Sequence, residues 1–302
     1  MANLLEQASI LLTPTAYDNG SMLSVKPENG DGDFTFSRGS GATRRNEQGV
    51  IELVASNIPR INYEGFNYDA NGAIIPDSGC GSWLFEPQST NLVTYSSDYS
   101  QWSVLNSALL PNNAISPSGV QDASKLNTTT ASSRIQVPLS FSGVNTISIF
   151  VKYDGDDVTV RFERNTSNDR CSFDISSTGV VFNSAETGII DYKIENFGND
   201  WYRLSCVYDG GNYFQFNGDT TGAGGSIYIW GAQAEQQSSA TSYIPTSGAI
   251  VTRLADEATI NLTSFTLTSI TETIDGADQT PITTIPTTYS VPFGNINKII
   301  MI

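Results

Sequence analysis

Tyr95, Tyr99 and Trp102 stand close together in a stretch that is otherwise polar. Aromatic faces beside Asn, Gln and Asp suit sugars, because the C–H face of a pyranose stacks on the ring while its hydroxyls take hydrogen bonds. The three are therefore candidates for glycan binding. The competing use is structural, since an indole such as Trp102 also suits the end of a β-sandwich, where it plugs the core. Asp154, Asp156 and Asp157 crowd around Gly155. Carboxylates this dense mark either a hairpin turn, which is the expectation, or at most a weak calcium site. Asn29, Asp31 and Asp33 alternate as calcium ligands do, but the sixth and twelfth positions of such a loop would be Phe34 and Ser40 rather than glycine and an acid. That stretch reads as a turn.

Other chemistries fall away by count. The chain has no histidine, which removes imidazole-based triads, proton shuttles and histidine-ligated zinc. Glycoside hydrolysis needs two carboxyl groups facing each other, about 5 Å or about 6.5–9.5 Å apart. There are 31 acidic residues, and none sits in a familiar hydrolase motif. Gly222-Ala223-Gly224-Gly225 lacks the Lys-Ser/Thr of a phosphate loop. Cys80, Cys171 and Cys206 are odd in number and contain no CxxC pair. Three buried thiols are expected, with a Cys171–Cys206 bridge between neighbouring strands as the alternative. The chain is expected to be no enzyme and to need no cofactor.

Charge narrows the partners. Fifteen basic against 31 acidic residues leave a net charge of −16 over 302 positions. Such a chain is a poor counterion for phosphate backbones, so no nucleic acid is expected. No run of about eighteen apolar residues occurs, so no membrane helix is expected. Met1–Glu6 lacks the basic and apolar regions of a secretory signal.

The elements that must position these residues are mostly strands. Helical spacing appears once: Asn3 and Glu6 resemble a capping box, and Leu4, Leu5, Ala8, Leu11 and Leu12 share a face before Pro14, although an extended arm fits as well. From about residue 95 the pattern alternates, as in Ile147, Ile149, Val151 and Tyr153 against Ser148, Phe150 and Lys152. Both faces of several strands are apolar, which implies a sheet covered on each side or a face awaiting a partner. Many short strands between Gly, Asn and Asp turns predict an all-β chain with a jelly-roll sandwich. The end of the chain, Ile299-Ile300-Met301-Ile302, would be costly in water and must be buried in a small β module or between subunits.

Three segments resemble bacteriophage virion proteins of the head-fibre and tail-fibre kind. The first runs from Asn29 through Ser37-Arg38 and Ala42-Thr43-Arg44 to Ile58-Pro59-Arg60. The second is Leu84-Phe85-Glu86-Pro87-Gln88-Ser89-Thr90-Asn91-Leu92 with the Tyr95–Trp102 stretch. The third runs from Ile229-Trp230-Gly231-Ala232-Gln233-Ala234-Glu235 through Ser242-Tyr243-Ile244-Pro245-Thr246 to Val251-Thr252-Arg253. The resemblance implies a concanavalin-like sandwich fused to an N-terminal attachment region. It implies no catalytic residue.

The expected organisation is therefore an N-terminal attachment region over 1–94, a β-sandwich over 95–255 and a small C-terminal β module over 256–302. The expected role is that of a virion structural protein: a capsid or tail fibre, spike or decoration subunit on the particle surface, made in the bacterial host cytoplasm. Its partners would be itself as a homotrimer, other virion proteins and host surface glycans. The alternatives are a virion-borne glycan depolymerase and a capsid-cementing protein without a ligand.

Overall fold

The computed structural model describes residues 4–68, 74–76, 79–163 and 169–302. It is all-β apart from one helical turn, Leu4–Gln7, and two short 3-10 turns. Asn3 lies outside the described residues. The helix expected from the leucine spacing stops after that turn, and Ile10–Leu12 is a strand instead. Tertiary pairing wins there: Ile10, Leu11 and Leu12 register against Met301, Ile300 and Ile299.

Two long antiparallel strands, Arg134–Tyr153 and Trp201–Asn217, organise the sandwich. Their register breaks between Pro138 and Phe141 and again between Phe141 and Val144. Gly143, Gly210 and Gly211 take φ values of 69°, 69° and 136° at this corner, a region that side chains with a Cβ rarely enter. The break bends the pair, so that the one ten-stranded sheet built around it folds over into two facing layers, a first sheet and a second.

Beyond the corner, residues 144–153 pair with Gly225–Glu235, and residues 201–208 pair with Ile189–Gly198. Ala123–Thr128 and Ser107–Ala114 extend this sheet. On the other side, residues 134–136 pair with Ser103–Leu105, and Asn217 and Phe216 pair with Val158–Glu163. Arg170–Ser176 and Gly179–Ala185 complete that second sheet. Ile147, Ile149, Val151, Leu204 and Ile229 of one sheet meet Phe162, Phe173, Phe214 and Phe216 of the other in a single core.

The outer face of the first sheet is also buried, which is why its strands read apolar on both faces. Phe150, Trp201 and Trp230 pack there with Ile51, Phe197 and Tyr243. The cover comes from Ile51 of the N-terminal region, from Tyr243 of the segment that follows Gly225–Glu235, and from Phe197 of the sheet itself.

The division into separate modules at 1–94 and 256–302 is corrected here. The strand Gly294–Met301 runs through one six-stranded sheet. Ile270–Ile274 pairs along one side of it, and Ile10–Leu12 and Ser82–Phe85 share the other. Thr35–Ser37 likewise pairs with Glu257–Asn261. The ends form one module with one core, in which Trp83, Phe85, Ile260, Ile270, Ile296 and Met301 are buried. The aliphatic C-terminus is thus covered within one chain, and its burial does not call for a second subunit.

Candidate functional site

Where this terminal module meets the sandwich, the contact is ionic. Asp256 is 1% exposed and Arg38, Arg60 and Arg253 are 0–1% exposed. One Asp256 oxygen accepts from Arg38 Nη1 at 2.9 Å; the other accepts from Arg60 Nη2 at 2.5 Å and from the Glu86 amide at 2.9 Å. Glu86 lies 2.9 Å from Arg60 Nη2 and accepts from the Ser242 amide and hydroxyl at 2.6 Å each. Arg38 also donates to the Ala55 carbonyl, and Arg253 to that of Pro87, at 2.7 Å each. Ions this deep are tolerated when their lone pairs and protons are met by partners, and of the described groups in this joint only the Arg60 and Arg253 Nε atoms lack a hydrogen-bond partner.

Beside the joint lies a cavity of about 140 Å³ in which Arg45, Lys193 and Arg203 face Glu64, Glu86 and Glu195. The Arg45 guanidinium lies over the Phe197 ring at 3.9 Å and donates to the Asn196 carbonyl at 2.9 Å. Arg203 donates to the Thr241 carbonyl at 2.6 Å and to Ser148 Oγ at 2.9 Å. Burial by itself would raise the Glu86 pKa, but Arg60, Arg253 and the Ser242 hydrogen bonds outweigh it and bring it down from 4.5 to about 2. Burial likewise works against ionised Glu195, and Lys193, Arg203 and Arg45 together hold its carboxyl below the ordinary value. A general acid at neutral pH needs the opposite displacement. Both carboxylates are stable anions here, and neither holds a proton to give.

A second polar network pins the irregular segment around residues 241–246 to the sandwich. Gln233 accepts from the Ile244 amide at 2.6 Å, and Asn91 donates to the Ile244 carbonyl at 2.9 Å. Glu235 accepts from Ser89 Oγ at 2.6 Å and the Thr241 amide at 3.0 Å. Ser96 and Tyr243 share a hydroxyl contact of 2.6 Å. These side chains stand in for the ladder bonds that the irregular segment cannot make with a neighbouring strand.

The glycan-binding trio does not form a surface. Tyr99 is 1% exposed and Trp102 6% exposed. Trp102 meets the rings of Tyr99 and Phe214 at 5.3 and 5.2 Å, and its Nε1 donates to the Tyr95 carbonyl at 2.9 Å. Burial pushes the Tyr99 phenol well above its ordinary pKa. Tyr95 is half-buried and supplies a backbone acceptor. The competing use prevails: Trp102 plugs the sandwich.

The acidic turn forms where expected, but its carboxylates do not converge. Asp154 pairs with Lys125. Burial works against its ionised form, but hydrogen bonds from Lys125, Tyr228 and Ser226 hold its pKa below the ordinary value. Tyr228 is in turn pushed up to about 12 by its bond to Asp154. Asp156 accepts from Ser226 Oγ at 3.1 Å, and Asp157 is exposed. Among the described residues no group of three or more His, Cys, Asp or Glu side chains is placed to hold a metal. Asn29, Asp31 and Asp33 form a turn, with Asp33 accepting from the Ser24 amide at 2.7 Å. Cys171 and Cys206 are buried free thiols, and Cys80 is exposed, contrary to expectation. Burial and the neighbouring Cys171 thiol push the Cys206 thiol up.

The joint itself is not legible in the sequence. Its residues Arg38, Arg60, Glu86 and Arg253 all lie within the three segments singled out in the sequence, at 29–60, 84–102 and 229–253. Spacing gives no sign that residues so far apart share one buried site. The available signal is the scarcity of charge, only 15% of residues, which makes each lone arginine in an apolar stretch worth a partner.

No protein-family model matches the chain, and no curated protein matches it. Among solved structures it is similar to the CBM22-1–GH10 modules of the Clostridium thermocellum N-terminal endo-1,4-beta-D-xylanase 10B complexed with xylohexaose, at 14% identity and a TM-score of 0.30 over 53% of this chain. It is also similar to the catalytic domain of a GH87 alpha-1,3-glucanase in complex with tetrasaccharides, at 13% identity and a TM-score of 0.28 over 53% of this chain. The chain spans 30% of the length of each.

Proposed function

We propose that the chain is a non-enzymatic bacteriophage structural protein, a capsid or tail fibre, spike or decoration subunit on the virion surface whose sandwich contacts host glycans. The observation that carries this reading is the use made of the virion-like segments. Arg38, Arg60, Glu86 and Arg253 are spent on a buried joint, and Asn91, Gln233 and Glu235 on a clamp. Residues that serve rigidity, rather than a reaction, are what a repeated building block requires. The ionised, fully partnered state of Glu86 supports the same reading against a glycan depolymerase. A homotrimer, and contacts with other virion proteins, belong to this proposal through the resemblance of the three segments.

The test is location. An antiserum against the recombinant chain should decorate particles purified from a culture producing it. Protein found only in the soluble lysate overturns the proposal. The non-enzymatic part has its own test, incubation of the purified chain with host surface polysaccharide. Reducing ends released by the wild type but not by Glu195→Gln would overturn that part.

A further inference from the structure

The geometry points to a binding site for a neutral saccharide at the open end of the sandwich, in a pocket of about 230 Å³ whose walls include Tyr153 and Tyr202. This deepens the proposed glycan contact by naming its place and ligand class. It does not depend on the chain being part of a virion. Tyr153 and Tyr202 sit on the inward faces of the two long strands, facing the gap between the sheets, and both are half-buried. The Tyr153 hydroxyl donates to the Gly155 carbonyl at 2.8 Å, which ties the ring to the turn beyond it. A Cβ built on Gly179, whose φ is +120°, would come within 2.8 Å of the Tyr202 hydroxyl. Glycine at that position lets the Tyr202 ring reach the backbone of the neighbouring loop.

The rest of the wall sets hydroxyls and a carboxylate beside apolar Ile175 and Val180. Ser176 and Thr178 share a hydroxyl contact of 2.9 Å on that loop. Asp200 lies at the rim on the hairpin Asn199-Asp200, where both residues hold left-handed φ values of 51° and 64°. That pair of left-handed residues is the usual geometry of a two-residue hairpin turn, which Asn and Asp adopt readily. The Asp200 side chain is 74% exposed, with Lys152 3.8 Å away, so its oxygens remain open to a ligand. Aromatic walls with a carboxylate and hydroxyls at their edge suit a pyranose, whose C–H face stacks while its hydroxyls donate to the carboxylate. The carboxylate at the mouth and the net charge of −16 select against anionic sugars.

The experiment titrates the full chain with maltose, cellobiose, lactose, N,N′-diacetylchitobiose and sialyllactose, read by saturation-transfer difference NMR. At least one neutral disaccharide should bind with a Kd of about a millimolar, and sialyllactose more weakly. Tyr202→Ala and Asp200→Asn should each weaken binding about tenfold or more. Asparagine tolerates the left-handed region well, so Asp200→Asn tests the carboxylate without threatening the hairpin. No binding by any of the four neutral disaccharides overturns the site. Binding that Asp200→Asn leaves unchanged overturns it too. Either failure leaves the virion assignment standing, since that rests on particle labelling.

Discussion

The sandwich interior and the joint beside it are both buried, yet they are held by opposite physics. In the interior, Ile149, Val151, Leu204, Phe162 and Phe214 have no exposure at all and touch one another. Their contribution grows with the apolar area removed from water and is indifferent to pH. In the joint, three arginines meet two carboxylates at similar depth. Their net contribution is small compared with the desolvation and attraction that nearly cancel in it. A core side chain can therefore be trimmed at modest cost, whereas removing one ion strands the others.

This contrast can be broken at several points. The largest effect is expected from deleting residues 296–302, which removes most of the strand shared by Ile270–Ile274, Ile10–Leu12 and Ser82–Phe85. Limited proteolysis should then cut within residues 10–62 and 257–290 while sparing 123–235. Equal protection of both stretches would show that the terminal module does not depend on this strand.

Next comes Asp256→Ala, which leaves Arg38 and Arg60 buried without their shared anion. About 3–5 kcal/mol should be lost in urea denaturation. The trimmed core variant Ile149→Val should lose only about 0.5–1.5 kcal/mol. If the two costs are equal, the contrast fails.

The pH dependence is smaller and has a defined sign. The Glu86 pKa lies near 2 in the folded chain against 4.5 for the free group. Its contribution is therefore fully present above about pH 4.5 and is lost as pH falls toward 2. The gap corresponds to about 3 kcal/mol. Glu86→Gln should flatten the acid limb of the stability curve over that window, and an unchanged limb would place the acid sensitivity elsewhere. The smallest effect is chemical and costs no stability: a thiol reagent should label Cys80 in the native chain, and Cys171 and Cys206 only after denaturation.

The sandwich is more legible than the joint for a physical reason. The alternation at Ile147, Ile149 and Val151 is a local property of a pleated strand, and it appears in the sequence before any contact forms. The apolar partners on the outer face, Phe150 and Trp230, are visible as residues, but their cover by Ile51 and Tyr243 is not. The aromatic residues of the polar loop at 95–102 fit both a sugar platform and a plug. Only the path of the chain decides between these, and it places Trp102 against Phe214.

By itself, then, the amino-acid order determined the features that local rules set: a β architecture, turns at Asp154–Asp157 and Asn29–Asp33, no imidazole chemistry and an acidic surface. The tertiary structure alone decided three things. It paired Ile10–Leu12 with the last residues of the chain, it gathered Arg38, Arg60, Glu86, Arg253 and Asp256 into one ionic knot, and it set Tyr153, Tyr202 and Asp200 around one pocket. Each joins residues tens to hundreds of positions apart. Such contacts carry no periodicity, because the constraint that selects them is mutual satisfaction of charge, hydrogen bond or shape in the folded chain.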